Sequence, residues 1–139
     1  MPAGYLLDTN FVSEARRPRP NPGVVAFLRA NNPDRSFVSA MTIGELRKGV
    51  AAQRVRDAIN ADRLADWVNR FEAEYAERII PVDRAVARIW GELSAGRPLP
   101  VVDTLIAATA LAHDLTVVTR NVRDVAATGA NVLNPWSDG

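Results

Sequence analysis

The order of apolar and polar segments in this 139-residue sequence predicts an α/β fold in three layers, with a central, mostly parallel sheet of about five strands between helices. Two observations support this fold class. Short apolar runs alternate along the chain with longer segments whose apolar residues recur at helical spacing. Segments rich in proline, glycine and asparagine separate them. Parallel strands require such helical crossovers, which are right-handed.

The first strand is predicted at Tyr5–Leu7, an apolar run that ends at Asp8. A turn or helix begins directly after it, and the proline-rich segment 16–23 (RRPRPNPG) interrupts that helix. Pro22 suits the first position of a helix, because its fixed φ and missing N–H cost nothing there, so a second helix is predicted up to Ala30. The segment between the two helices is therefore a surface elbow that carries three arginines.

The second strand is predicted at Ser36–Ser39, and a long helical region follows it. Thr42 and Glu45 have the T-x-x-E spacing of a capping box, which predicts that this region begins at about Thr42. A separate helix that runs to about Glu77 carries an apolar stripe at i, i+3, i+4 and i+7, formed by Leu64, Trp67, Val68 and Phe71. We interpret the stripe as packing against the core or a partner, because aromatic residues at helical spacing usually pack.

The second half of the chain continues the alternation of strands and helices. Asp83 is predicted to cap a helix that ends at the segment 96–100 (GRPLP). Asp103 is predicted to open the next helix, which continues to His113. The remaining strands are predicted at Ile79–Val82, Leu115–Thr119 and Asn131–Leu133.

Composition narrows the possible chemistry. We expect one domain over residues 1–139, because domains commonly contain ~100 to 150 residues. The absence of cysteine excludes disulfides, thiolate metal sites and cysteine nucleophiles, and the single histidine, His113, excludes mechanisms that need two imidazoles. No Walker-type phosphate loop occurs. The net charge of +1 gives no strong overall field, so attraction of nucleic acid would depend on local basic patches.

The sequence also predicts where the protein works. Its beginning lacks the basic residues and the small-residue cleavage site of a signal peptide. No apolar stretch approaches the ~20 residues that span a bilayer. We therefore expect a soluble, cytoplasmic protein without a membrane partner.

Four acids follow predicted strands or lie near the starts of predicted helices, namely Asp8, Glu45, Asp103 and Asp124. Taken singly, each suits a helix cap or a favourable partner of the helix dipole. Taken together, they would share one rim, because the carboxyl ends of parallel strands meet at the same edge of a sheet. Like charges gathered there raise one another's pKa unless a cation neutralises them, and an all-oxygen set suits Mg²⁺ or Mn²⁺. The sequence therefore predicts a metal site at which an activated water attacks a phosphodiester.

Four segments of the sequence resemble the PIN-domain family, and more closely the VapC-type toxins of bacterial type II toxin–antitoxin modules, including the FitB-like branch. The segments are YLLDTNFVSE, SAMTIGELRKGV, VVDTLIAATALAHDLTVVTRNVRD and NVLNPW, at residues 5–14, 39–50, 101–124 and 131–136. They occur in the family's order and spacing, and the resemblance spans nearly the whole chain. One departure is Val125, which stands where the family has an aromatic residue after the last aspartate.

The resemblance implies a PIN-like fold, site residues and partners. It implies that the four acids hold Mg²⁺ or Mn²⁺ and cut single-stranded regions of RNA, and that Asn10, Thr119 and Asn121 support them. It also implies a homodimer within a larger toxin–antitoxin assembly, and a cognate VapB-like antitoxin whose C-terminal segment covers the active site. We expect Asp8→Asn or Asp103→Asn to abolish cleavage and to leave the metal-free fold at least as stable, because a repulsive charge is removed.

Basic residues stand next to the acidic motifs and are candidates for contacts with RNA phosphates. Taken singly, each is explained as a solvated surface charge. Their position beside the acidic motifs favours a joint role in binding the RNA backbone without recognising its sequence. These candidates are Arg16, Arg17, Arg47, Lys48, Arg120 and Arg123.

Other functions fit the sequence less well. A phospho-receiver domain needs a lysine after a late strand, but the only lysine is Lys48, which lies beside Glu45. A phosphatase of the haloacid-dehalogenase type needs an aspartate where Asn10 stands. The intact set of acids argues against a noncatalytic binding protein. A solitary RNA-processing nuclease stays an alternative to a toxin, because the chain does not encode its partner or the RNA that it cuts.

Overall fold

The computed structural model describes residues 4–138, in which five parallel strands form one sheet. The strands are β1 (Gly4–Leu7), β2 (Ser36–Ser39), β3 (Ile79–Ile80), β4 (Leu115–Val118) and β5 (Val132–Leu133). Their order across the sheet is β3-β2-β1-β4-β5, so β1 lies at the centre between β2 and β4. The prediction of about five parallel strands is confirmed, although β3 ends two residues earlier than predicted.

Helices connect the strands. They are α1 (Thr9–Ala15), α2 (Pro22–Ala30), α3 (Ala40–Arg56), α4 (Ala58–Glu74), α5 (Arg84–Ser94), α6 (Val101–His113) and α7 (Val122–Ala126). Pro22 is the first residue of α2 and Asp83 caps α5 through the Val86 amide, both as predicted. Within residues 4–138, no helix is both long enough and apolar enough to cross a bilayer.

Alternate residues of the central strands pack into two cores, one on each face of the sheet. Leu7 and Val118 enter a core that the residues of α1, α2, α3 and α4 complete. Their neighbours Leu6 and Val117 enter the opposite core, which is completed mainly by α6 and α7. Helix α5 packs against α6 on that second face. This alternation, which follows from the two-residue repeat of a strand, produces the predicted three layers.

The segment after β5 returns to the start of α2. The Asn21 side chain donates to the Ser137 carbonyl oxygen at 2.9 Å and accepts from the Ser137 amide at 3.0 Å. A Cβ atom on Gly23 would lie 2.0 Å from the Pro135 carbonyl oxygen, so only glycine permits this approach. Trp136 packs edge-on against Phe11, with 6.0 Å between ring centroids. The segment thereby becomes part of the wall beside α1.

Two predicted helix starts are wrong. Helix α3 begins at Ala40, because the Ser39 hydroxyl accepts from the Met41 amide at 3.0 Å and caps the helix directly after β2. Thr42 and Glu45 therefore do not form a capping box. Helix α6 begins at Val101, where the Pro100 carbonyl accepts the Thr104 amide at 3.0 Å. Asp103 lies in its first turn instead of opening it.

Candidate active site

An open cleft of about 490 Å³ lies where β1 and β4 end. This is the edge at which parallel sheets commonly bind ligands. Three of the four predicted acids, Asp8, Glu45 and Asp103, line the cleft. Asp124 lies to one side, with Asp103 at the edge of a smaller adjoining pocket.

Asp8 is the most firmly held of the acids. It follows β1 directly, is 7% exposed, and caps α1 by accepting the Thr9 amide on Oδ1 at 2.8 Å. Its Oδ2 accepts the Thr119 hydroxyl at 2.7 Å and the Asn10 side-chain amide at 3.1 Å. Thr119 is fully buried at the end of β4 and also accepts the Asn121 amide at 3.0 Å. Both carboxylate oxygens of Asp8 are therefore fixed by the fold.

Glu45 reaches the cleft from the second turn of α3. Its Oε1 accepts the Thr9 hydroxyl at 2.6 Å, and that hydroxyl lies 3.1 Å from the hydroxyl of the buried Thr42. Both side chains of the supposed capping box thus point towards α1. Thr9 connects Asp8 and Glu45, because its amide binds the first carboxylate and its hydroxyl binds the second.

Asp103 and Asp124 are less constrained. Among the hydrogen bonds of residues 4–138, none involves the Asp103 carboxylate, which is positioned only by the first turn of α6. Asp124 is exposed on α7 and accepts from the Asn121 side-chain amide at 3.1 Å. Asn121 therefore holds Asp124 through its side chain, while its amide contacts Thr119 at the base of the cleft.

The acids influence one another electrostatically. Burial raises the pKa of Asp8 above its ordinary value of 3.8, hydrogen bonds from Thr119 and Thr9 partly oppose this, and the charge of Glu45 raises the pKa further. Burial also raises the pKa of Asp103, and the charges of Asp8, Glu45 and Asp124 add to that increase. All four carboxylates therefore share one region of negative potential.

This donor set suits a hard divalent cation, because it consists of carboxylate oxygens whose mutual repulsion a cation would relieve. Within residues 4–138, no three histidine, aspartate or glutamate side chains lie close enough to form a compact cation site. Three of the acids nevertheless line one cleft, and Mg²⁺, the cation that such oxygens suit, is commonly bound through only one or two carboxylates while it keeps several water ligands.

Of the six predicted phosphate-binding residues, the structure places two in the cleft. Arg17 lies 3.5 Å from Glu14, and the Arg120 guanidinium lies over the Trp136 ring at 6.0 Å from its centroid. The other four do not line the cleft. Arg47 instead joins α3 to α4 through Glu72 at 2.9 Å. Arg16 lies over Trp67, and Lys48 and Arg123 are exposed on α3 and α7.

Ser13 and Glu14 line the cleft but were not singled out from the sequence. They continue on α1 the polar stripe that begins at Asn10 and extends to Arg17, just beyond the end of the helix. The complementary apolar face, Phe11 with Val12, enters the core, so the two-sided pattern was present in the sequence. Trp136 belongs to a recognised motif, but its place in the cleft depends on the return of the last segment to α2.

Comparison with known proteins agrees with this fold. The family model described as PIN domain matches residues 5–129. Toxin FitB from Neisseria gonorrhoeae is 38% identical, over 96% of this chain and 99% of its own length. VapC ribonuclease Y4jK from Sinorhizobium fredii is 34% identical, over 94% of this chain and 96% of its own.

A solved structure shows the same arrangement of elements. The crystal structure of FitAcB from Neisseria gonorrhoeae superposes with a TM-score of 0.85 at 37% identity, covering 95% of this chain and 98% of the matched chain. The family match covers most of the chain, and relatives above 30% identity span nearly all of it. This chain therefore belongs to the PIN-domain family, among the relatives of the FitB and VapC proteins.

Proposed function

We propose that this chain is a metal-dependent endoribonuclease that cuts single-stranded regions of RNA and acts as the toxin of a toxin–antitoxin pair. The observation that carries the proposal is the gathering of Asp8, Glu45 and Asp103 in one open cleft that also contains Arg17 and Arg120. Relatives named as a toxin and as a VapC ribonuclease support it.

The residues that would hold the cation are Asp8, Glu45 and Asp103, with Asp124 beside them. When bound, Mg²⁺ or Mn²⁺ would lower the pKa of water and neutralise charge on the reacting phosphate. Asp8 contributes a carboxylate whose orientation is set before any ligand arrives, because Thr9, Asn10 and Thr119 already donate to it. Such pre-organisation avoids rearrangement during the reaction.

The arginines of the cleft bind the RNA backbone. Arg120 is steadied by the Trp136 ring, and Arg17 by Glu14, so both guanidiniums are kept near the acids. Their contacts with phosphates orient the strand without selecting bases. In the hydrolysis, the oxygen of a water molecule bonds to phosphorus, the bond to the leaving oxygen breaks, and that oxygen takes up a proton.

The proposed partners are a cognate VapB-like antitoxin, whose C-terminal segment would cover the cleft, and a second copy of this chain in a homodimer. A covering segment would exclude RNA from Asp8 and Asp103. Full-length complex, purified from cells that express the chain with the product of a neighbouring short reading frame, should cut RNA more slowly than the chain alone. Equal rates would contradict the partner assignment.

The enzymatic proposal is tested with purified protein and a labelled single-stranded RNA. Cleavage should occur with Mg²⁺ or Mn²⁺ and stop when a chelator is added. Asp103→Asn should lower the cleavage rate by at least about 100-fold, the effect of losing a group that stabilises charge at the reacting centre. Gel analysis of the RNA products measures both effects.

Asp114→Asn is the matched control, since Asp114 lies at the other end of the same helix. It is exposed at φ 53°, a conformation that asparagine tolerates. Its cleavage rate should stay close to that of the wild type. Full activity of Asp103→Asn, or undiminished cleavage in the chelator, would contradict the proposed metal site.

A further inference from the structure

A second groove, of about 620 Å³, lies between the end of α1 and the helices α3 and α4. We call it the basic groove and define it by Arg16, Gln53, Asn60, Arg63, Trp67 and Arg70. It is next to the catalytic cleft, because the consecutive residues Arg16 and Arg17 line the groove and the cleft respectively.

Helical spacing places two of the arginines on one side of the groove. Arg63, Trp67 and Arg70 are at i, i+4 and i+7 of α4 and so share one face. The rise of an α-helix puts Arg63 and Arg70 about 10 Å apart along its axis. Arg16 approaches from α1, with its guanidinium 5.9 Å from the Trp67 ring centroid. The Trp67 ring is itself fixed by stacking on Phe71 at 5.3 Å.

No ion pair among residues 4–138 involves the arginines of the groove. Of the described residues that line it, three are arginines and none is acidic. Among the ion pairs and hydrogen bonds of residues 4–138, none involves the side chain of Arg16, Arg63 or Arg70. Two nearby arginines on α3 do form ion pairs, Arg47 with Glu72 and Arg54 with Asp62. Three guanidiniums that have no ion pair within residues 4–138 and surround one groove make a site for a polyanion.

We propose that the basic groove binds the backbone of a single-stranded RNA that continues out of the catalytic cleft, so that one substrate spans both. The inference rests on the proposed ribonuclease function and adds to it a second contact surface, formed chiefly by α4. Guanidinium–phosphate contacts would hold the strand without reading bases. The Trp67 ring stacks on Phe71 and contacts Arg16. Its role is therefore to position the Arg16 guanidinium.

The test measures binding of a labelled single-stranded RNA of about 16 nucleotides, long enough to exceed one short binding site, by fluorescence anisotropy in a chelator that prevents cleavage. The variant is R63A/R70A in the full chain. We expect its Kd to rise roughly tenfold or more, since two charge-assisted contacts are lost. The slope of log K against log salt should become shallower by about 1.4, because each phosphate contact contributes ~0.7 for single strands.

Two further variants separate the local contact from general charge. R84A/R88A removes the same charge from the exposed face of α5, on the opposite side of the sheet, and should change Kd less than twofold. R63K/R70K keeps the charge and should recover most of the affinity, because sequence-independent backbone binding comes from the neutralisation of phosphates, which lysine also provides. Equal weakening by R63A/R70A and R84A/R88A would overturn the proposal.

Two other outcomes would also overturn it. One is that R63A/R70A binds RNA as the wild type does. The other is that it binds RNA normally but loses affinity for the antitoxin, which would assign the groove to a protein partner. If the wild type cuts RNA with Mg²⁺ while the groove variants bind normally, only the basic groove is refuted. If the wild type neither binds nor cuts RNA, the proposed function itself fails.

Discussion

Asp8 and Asp103 face the same cleft, but the protein holds them in different ways. Asp8 is buried, and three groups donate hydrogen bonds to its two oxygens. The Asp103 carboxylate has no hydrogen-bond partner within residues 4–138, and burial together with the charges of the neighbouring acids raises its pKa. Hydrogen bonds within the fold therefore orient the carboxylate on the β1–β4 side of the site. The carboxylate on α6 has no such bonds, so its orientation depends on the group that neutralises its charge.

Thr119→Val should have the largest effect on this contrast, because it removes the hydrogen-bonding group beneath Asp8 without changing the volume of the side chain. The Asp8 carboxylate would lose a buried hydrogen-bond partner, and the Asn121 amide would lose a partly buried one. We expect the free energy of unfolding to fall by about 1–3 kcal/mol. The rate of RNA cleavage should fall by roughly tenfold or more, because the Asp8 carboxylate would no longer be held in its position.

Thr109→Val is the control for this substitution. Its hydroxyl is equally buried and donates to the Leu105 carbonyl at 2.7 Å, but that carbonyl also accepts a bond of the helix. It should cost less than Thr119→Val in chemical denaturation and leave cleavage near the wild-type rate. Equal loss of stability in the two variants would show that the Thr119 hydroxyl stabilises the fold no more than an ordinary buried threonine hydroxyl does.

Asp103→Asn and Asp8→Asn should differ in stability when no metal is present. Asp103→Asn removes a repelled charge and no hydrogen bond, so it should raise Tm by a few degrees, the equivalent of less than about 1 kcal/mol for a partly exposed group. Asp8→Asn should leave Tm at or below the wild-type value, because it puts an amide donor opposite the donors of Thr119 and Asn10. Thermal unfolding in a chelator measures both.

The pH dependence of this difference has a definite sign. Because the folded-state pKa of Asp103 is raised above 3.8, the folded protein binds that proton more tightly than the unfolded chain does. The stability that the folded protein gains from protonated Asp103 is fully present below about pH 3.8, and it is lost as the pH rises through the raised pKa. The advantage of Asp103→Asn should therefore be largest at neutral pH and shrink on acidification. A constant advantage across this range would contradict the repulsion.

Trp136→Leu should have the smallest effect, because it acts only through Arg120, a cation that lines the cleft. The ring contact with Arg120 is worth about 0.5–1 kcal/mol at an exposed site, which corresponds to a two- to fivefold change in affinity. We expect KM for RNA to rise by that factor and kcat to change less. Trp136→Phe, which keeps an aromatic face, should recover part of the loss. A fall in kcat alone would assign Trp136 a different role.

Local sequence patterns predicted much of the architecture. The apolar run before Asp8, the proline at the start of α2 and the Asp83 cap depend on residues close together in the chain, and the structure has all three. The capping box failed for a related reason. Ser39 competes for the same helix start, and the spacing of Thr42 and Glu45 alone does not reveal which cap forms.

The finer structure of the site depends on contacts between distant residues, which local patterns do not encode. The sequence led to the expectation that Asp8→Asn and Asp103→Asn would behave alike, because each removes a repulsive charge from the same predicted cluster. Their different surroundings come from Thr119, which reaches Asp8 only when β4 lies beside β1. The basic groove likewise requires the end of α1 to approach α4, so Arg63 and Arg70 carried no signal in the sequence.

The hydrogen bond between Thr119 and Asp8 also bears on the order of events during synthesis. It joins residues 111 positions apart, across strands that pair only after β4 has been made. Contacts of such long separation close late in folding, since they must overcome a large loss of chain entropy. A nascent chain that has not yet reached residue 119 cannot fix Asp8. The cleft is therefore completed only after most of the chain has been synthesised.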